Sequence, residues 1–296
     1  FPSILNDIDS TSTIETITSP LFDEILSKYA LAYIRLTFAA IFAATTVYRA
    51  TKKGHVLMTP YLPKSKLKRH PINVDGIRSQ VMFTQWCWNL LNLSFALNGY
   101  ITLVAAREEN NDDKQIILFS SPSLHSLTLR TAVLLFEIAA PVSMLVSTVT
   151  KYALWPQSLK DPIKGSKNLR RPVSLLQHNL NLISCLLEVG VLGRLPIGLS
   201  HYPTAPMFGV VYVFFMWSMT HRLASDGSPQ FVYFFFDTTL GKRWVVSVML
   251  SLLSILLMFY FVFALVDDVV MFWGGSWPVN LALVGAFASI FCRFRD

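Results

Sequence analysis

Apolar residues in this chain run in long unbroken blocks, and polar residues collect between them. A helix that crosses a bilayer needs about 20 mostly apolar residues. Six stretches reach or approach that length: about 29–50, 83–106, 127–150, 173–195, 205–224 and 243–266. A seventh candidate, about 269–292, is interrupted by Gly274-Gly275-Ser276 and Pro278, and reads either as a kinked span or as a re-entrant hairpin. The pattern predicts an all-α fold, a polytopic transmembrane helical bundle of six spans with this seventh candidate. One transmembrane domain covers 29–296. An acidic, Ser/Thr-rich tail precedes it over 1–28, with the composition of a segment that is disordered unless a partner orders it.

Composition points the same way. The 296 residues are 53% hydrophobic and 15% charged, with mean hydropathy +0.46, where soluble chains carry roughly 25% charged residues. Residues 1–28 lack a basic segment followed by an apolar one, so they do not read as a retained signal peptide. Cys87, Cys185 and Cys292 all fall in apolar stretches without a CxxC pair, and are expected as buried free thiols.

Charge separates the loops. The segment between spans one and two holds Lys52, Lys53, Lys64, Lys66, Lys68, Arg69 and Arg78, with Arg49 at its edge. The next loop on that side adds Lys151, Lys160, Lys164, Lys167, Arg170 and Arg171, and the third adds Arg222, Lys242 and Arg243. The other side carries Asp7, Asp9, Glu15, Asp23 and Glu24, then REENNDDK (107–114), then Asp267-Asp268. The positive-inside rule puts the basic loops in the cytoplasm, or in the matrix or stroma of an organelle, without naming the organelle. The net charge of +7 thus belongs to membrane-flanking loops and suits anionic lipid. No soluble basic face is present for nucleic acid.

Ionisable groups inside spans are costly and mark candidate sites. Arg35, Glu137, His178 and Glu188 lie within spans, with Arg194 and His221 at boundaries. Arg35 and Glu188 fall at similar depth and Glu137 near mid-membrane, so Arg35 is expected to form a structural ion pair with Glu188 or Glu137. In the fourth span Ser174, His178, Asn181, Cys185 and Glu188 recur at helical spacing and form one polar stripe. Thr84 opens the second span, and His178 and His221 sit toward the same, basic side. A threonine becomes a nucleophile when a histidine within hydrogen-bond reach takes its proton. Such residues also serve only to satisfy backbone and to join helices. His178 and His221 share a leaflet, as axial haem ligands would, but b-type cytochromes carry more His pairs at matched depth. His55, His70, His125 and His201 are scattered without zinc spacing. No cofactor or metal is expected, and no GxSxG elbow or Gly-rich phosphate loop is present. The apolar FVYFFF (231–236) is too short to span and suits a lid or re-entrant piece.

MFTQW at the start of span two and QHNLNLISCLLE in span four resemble the signatures of the androgen-induced and androgen-dependent membrane proteins. These are multi-span hydrolases of fatty acid esters of hydroxy fatty acids. The T-Q-W and H-x-L-N wording is closest to their rolling-stone-like branch. The resemblance covers roughly 80–265. It implies Thr84 as nucleophile and His178 as base, with Asn181 and His221 in supporting roles. The basic loop at 51–80 and the acidic 107–114 segment depart from the family pattern, and VYFFF only loosely echoes its YPF. The resemblance implies an intramembrane lipid ester hydrolase with membrane lipids as partners. The alternative is a non-catalytic subunit or scaffold that keeps the fold and docks other membrane proteins.

Overall fold

The computed structural model describes residues 10–53, 56–110, 122–160 and 165–296. Helix α1 spans Ser10–Thr18, α2 Lys28–Thr51, α3 Phe83–Asn110 and α4 Pro122–Val149. A π-helical turn, Thr150–Leu154, joins α4 to α5 (Trp155–Leu159) in one continuous rod. A second rod contains α6 (Pro172–Leu175), a π turn at Leu176–Leu180, α7 (Asn181–Leu187) and a π turn at Glu188–Leu192. Helices α8 (Thr204–Met219), α9 (Lys242–Trp273) and α10 (Trp277–Phe291) complete the chain. Five helical segments are long and apolar enough to cross a membrane: Lys28–Thr51, Phe83–Glu109, Ser126–Leu159, Pro172–Leu192 and Lys242–Trp273. This is an all-α, membrane-embedded bundle.

Two spans differ from the sequence expectation. The stretch at 205–224 forms a helix of only 16 residues, because the chain tightens into a 3-10 turn at Thr220–Arg222. At 1.5 Å per residue that is about 24 Å, short of a hydrocarbon core of about 30 Å. The sixth span does not stop before Asp267-Asp268. Helix α9 runs through both to Trp273, and the Gly274–Ser276 break separates α9 from α10. Asp267 is tolerated inside α9 because its Oδ2 accepts the Ile197 N–H at 3.1 Å. Helix α10 is no re-entrant hairpin. Its first turn follows α9, Val284 lies against Gly190, and Lys151 Nζ reaches the Ser289 and Ile290 carbonyls at 2.6 and 2.7 Å beside the end of α4.

The bundle therefore has two distinct ends. The basic end gathers 56–82, 165–171, 220–241 and 292–296, and the opposite end gathers 18–27, 193–203 and 274–276. Lipid offers no hydrophobic drive between spans, so close packing and interhelical hydrogen bonds must hold them. The α2–α3 pair shows both. Trp88 stacks edge-on against Phe42 at 4.6 Å and donates its indole N–H to the Phe42 carbonyl at 2.9 Å. Gly99 lets α3 approach Leu36, where an added Cβ would lie 3.0 Å from the leucine Cγ.

The described part of the N-terminal segment is not a free tail. Ile17 is fully buried in the main apolar core with Ile14 packed beside it, and Leu21 N–H bonds the Leu192 carbonyl at 3.0 Å. The apolar face of α1 supplies burial that the acidic composition of 1–28 concealed.

At the basic end, the loops at 56–82 and 220–241 interlock as a cap. A two-residue antiparallel ladder pairs Val56 with Asn73, and Ile72 bridges Ala224. Phe231, Val232 and Phe236 are buried in a second apolar cluster with Tyr61, Ile72, Val81, Tyr212 and Met216. Thr59 Oγ1 donates to the Phe231 carbonyl at 2.6 Å, and Tyr61 Oη accepts the Phe231 N–H at 2.7 Å. Burial pushes the Tyr61 phenol above its ordinary pKa, so it stays neutral and donates in turn to Gln230 Oε1 at 3.1 Å. The FVYFFF segment is part of this cap.

Candidate functional site

Beneath the cap, a polar seam crosses the start of α3, the π turn at Leu176–Leu180 and the end of α4. A π turn inserts one residue into the helical register and occurs often at functional sites. Here Thr150 and His178 both sit in π turns. His178 Nδ1 lies 3.1 Å from Thr150 Oγ1. Thr150 gives its only proton to the Val146 carbonyl at 2.8 Å. With that proton on Val146, the assigned tautomer carries hydrogen on Nδ1, donates to Thr150 and leaves the Nε2 lone pair free.

Gln85 and Gln177 are fully buried, and the Gln177 amide donates to Gln85 Oε1. Their chain neighbours are Thr84 and His178. One bond between two amides leaves one donor and one acceptor over. These are Gln85 Nε2 and Gln177 Oε1, buried and unpartnered among the described residues. Swapping both amides exchanges the names but still strands one of each. Arg49 Nε is a third buried polar atom without a partner there, and its guanidinium lies within electrostatic reach of His178. Each orphan costs roughly 1–3 kcal/mol and calls for an explanation.

Thr84 is half-buried and its hydroxyl makes no hydrogen bond among the described residues. By contrast Thr37, Thr45, Thr102, Thr148 and Thr150 each donate to the carbonyl four residues back. Phe83, one residue earlier, donates its N–H to Tyr233 Oη of the cap at 3.3 Å. No hydrogen bond joins Thr84 to His178 themselves.

The other candidates separate. Asn181 is buried and ties α7 to α4, accepting from Ser147 Oγ at 3.1 Å and reaching the Ser143 carbonyl with its amide at 3.5 Å. His221 is exposed in the cap and gives its Nδ1 hydrogen to the Gly227 carbonyl at 3.2 Å, apart from the seam. At the far end Arg35 pairs with Glu188, with Nε to Oε2 at 3.1 Å and a second bond from Nη2 to Oε1. Arg35 Nη1 also donates to the Ile17 carbonyl at 2.6 Å and Thr102 Oγ1 at 2.7 Å. Glu137 is not in that pair. Its two oxygens take the Gly198 N–H and His201 Nδ1, each at 2.7 Å.

Thr150, Gln85, Gln177 and His201 were not singled out by charge. The amides carried the signal that polar groups in apolar spans need partners. Thr150 closes the 127–150 stretch and His201 is one of the scattered histidines, and no pattern marks either.

Compared with protein-family models, curated proteins and solved structures, the chain matches none. The resemblance to the androgen-induced and rolling-stone-like proteins rests on its quoted motifs alone.

Proposed function

We propose that this membrane protein hydrolyses lipid esters inside the bundle, with Thr84 as nucleophile and His178 as general base. The observation that carries the reading is the Gln85–Gln177 hydrogen bond, which makes neighbours of the chain segments bearing Thr84 and His178. In the proposed reaction His178 Nε2 takes the Thr84 proton as Oγ1 attacks the ester carbonyl carbon. The Nδ1 hydrogen bond to Thr150 holds the ring and stabilises the imidazolium that forms. The oxyanion meets a stranded amide N–H of the Gln85–Gln177 pair and the Arg49 N–H. The leaving alkoxide takes the proton back from His178; water, deprotonated by the same nitrogen, then attacks the acyl-threonine carbonyl, and His178 returns that proton to the departing Thr84 Oγ1 as the acid is released. Catalytic hydrogen bonds are often unmade before substrate arrives, and the free Thr84 hydroxyl suits that state. The basic end would face the cytoplasm, matrix or stroma, and membrane lipids would be substrate and surroundings.

A second reading is a non-catalytic subunit that keeps the fold. It is favoured by the His178–Thr150 bond, which already gives the histidine a role in joining two rods. Turnover separates the readings. The purified chain in nanodiscs is given a fluorogenic long-chain acyl ester, and wild type is compared with Thr84→Ala and His178→Asn. Hydrolysis lost in both, with unchanged thermal unfolding, supports the hydrolase. Hydrolysis absent from wild type, or retained in Thr84→Ala, leaves the subunit reading.

A further inference from the structure

We propose that the cap holds a second, separate site, which binds the phosphate of an anionic glycerol phosphate group. A cavity of about 350 Å³ opens between the two cap loops and the end of α8, within the range of roughly 300–1,000 Å³ common for small-molecule sites. Leu67, Trp217 and Phe231 form an apolar wall, and His221, Thr238 and Thr239 supply the polar side. Two polar groups there are uncommitted. The Thr238 hydroxyl has no hydrogen bond among the described residues, and His221 uses only Nδ1, on Gly227.

Three basic residues flank the lining residues along the chain. Lys66 gives its backbone N–H to Thr239 Oγ1 at 3.0 Å, Lys68 accepts at its carbonyl from Gln230 between two lining residues, and Arg222 follows His221. All three side chains are exposed and none makes an ion pair among the described residues. Two carboxylates are near in sequence. Asp226 is taken by Ser228 and by His70 at 3.4 Å. Asp237 is buried, does not line the cavity, and accepts at Oδ1 from the Thr239 N–H and hydroxyl, with Oδ2 unpartnered among the described residues. An apolar wall beside a free hydroxyl and an imidazole, with unpaired cations on residues next to the lining in the chain, fits a phosphate carried on a short apolar stem. The position suits a lipid source. Trp217 lines the cavity and meets the ring of Phe214, which is 63% exposed on α8, and tryptophan rings gather at membrane interfaces.

The test is native mass spectrometry of the whole chain in detergent, titrated with phosphatidylglycerol and, separately, with phosphatidylcholine. One tightly held phosphatidylglycerol per chain is expected, weakened roughly tenfold by Arg222→Gln and by the pair His221→Ala/Thr238→Val. Lys160→Gln/Arg171→Gln, which removes two exposed cations elsewhere at the same end, is expected to leave it unchanged. Displacement by soluble glycerol 3-phosphate would make a free phosphate ester the ligand, and resistance to it a lipid headgroup. Both outcomes support the site. Equal binding of both lipids, or equal loss in the Lys160/Arg171 variant, overturns it. The readout is binding, so it stands or falls apart from hydrolysis.

Discussion

Arg35 and Glu188, 153 residues apart in the chain, meet as a fully buried, doubly hydrogen-bonded ion pair at the end of the bundle opposite the cap. The same guanidinium holds the Ile17 carbonyl, so one side chain joins α1, α2, α3 and the second rod. Removing one partner of a buried pair strands the other and typically costs about 3–5 kcal/mol. Arg35→Met is expected to lose that much stability in denaturant or thermal unfolding and to release residues 10–26 to protease. The double variant Arg35→Met/Glu188→Met leaves no lone charge and should recover most of the loss. A double variant no more stable than Arg35→Met would mean that the pair is not the unit of stability.

The long apolar blocks made the spans legible, because a bilayer demands length and the hydrophobic positions declare it. Boundaries were harder. Asp267 reads as a loop residue until its carboxylate is seen holding the Ile197 N–H. Pairing was only half legible. Arg35 needed an acid and had two on offer, but nothing local says that Glu137 is consumed by His201 and Gly198. The π turns were not legible at all. One inserted residue rotates every later side chain by about 100°, so the choice of Thr150 as partner for His178 depends on bulges that no periodicity marks.

Thr84 and Thr150 make opposite predictions although both are seam threonines. The Thr84 hydroxyl holds no hydrogen bond among the described residues, so Thr84→Ala should change unfolding by no more than about 0.5 kcal/mol. It should nevertheless remove at least about a hundredfold of ester turnover. Thr150→Val removes the acceptor that sets the His178 ring. It should cost about 1 kcal/mol of stability and lower turnover without abolishing it. Turnover in Thr84→Ala equal to wild type would remove Thr84 from the mechanism.

Gly190 is where α10 touches the second rod. A Cβ there would come within 2.5 Å of Val284 Cγ2, closer than packed carbons approach. Gly190→Ala should push α10 outward and cost about 1–3 kcal/mol. Val284→Ala makes room on the other side, so the double variant should be more stable than Gly190→Ala alone. Urea or thermal unfolding of the three chains decides it, and a double variant less stable than both singles would place the contact elsewhere.

Asp296 ties residues 292–296 back to the basic end of the bundle. Its Oδ1 accepts from Ser166 Oγ at 2.6 Å and Trp155 Nε1 at 2.8 Å, and its Oδ2 lies 3.6 Å from Arg170. The Ser166 and Trp155 hydrogen bonds, then the nearby arginines, hold its carboxyl below the usual carboxylate range. A depressed folded value means the ionised side chain supports the latch at any pH above the unfolded value, about 3.9. That support is lost as pH falls through the lower folded value. Between pH 8 and 5 the latch should therefore hold without change. Cys292 reports on it, being buried four residues upstream with its thiol toward the Asn179 carbonyl. Labelling of Cys292 by a dithiodipyridine, which reacts with thiols even in acid, should be slow from pH 8 to 5 and should rise below about pH 4. Asp296→Asn should label faster at every pH and show no acid step. An identical acid step in wild type and Asp296→Asn would assign the titration to another group.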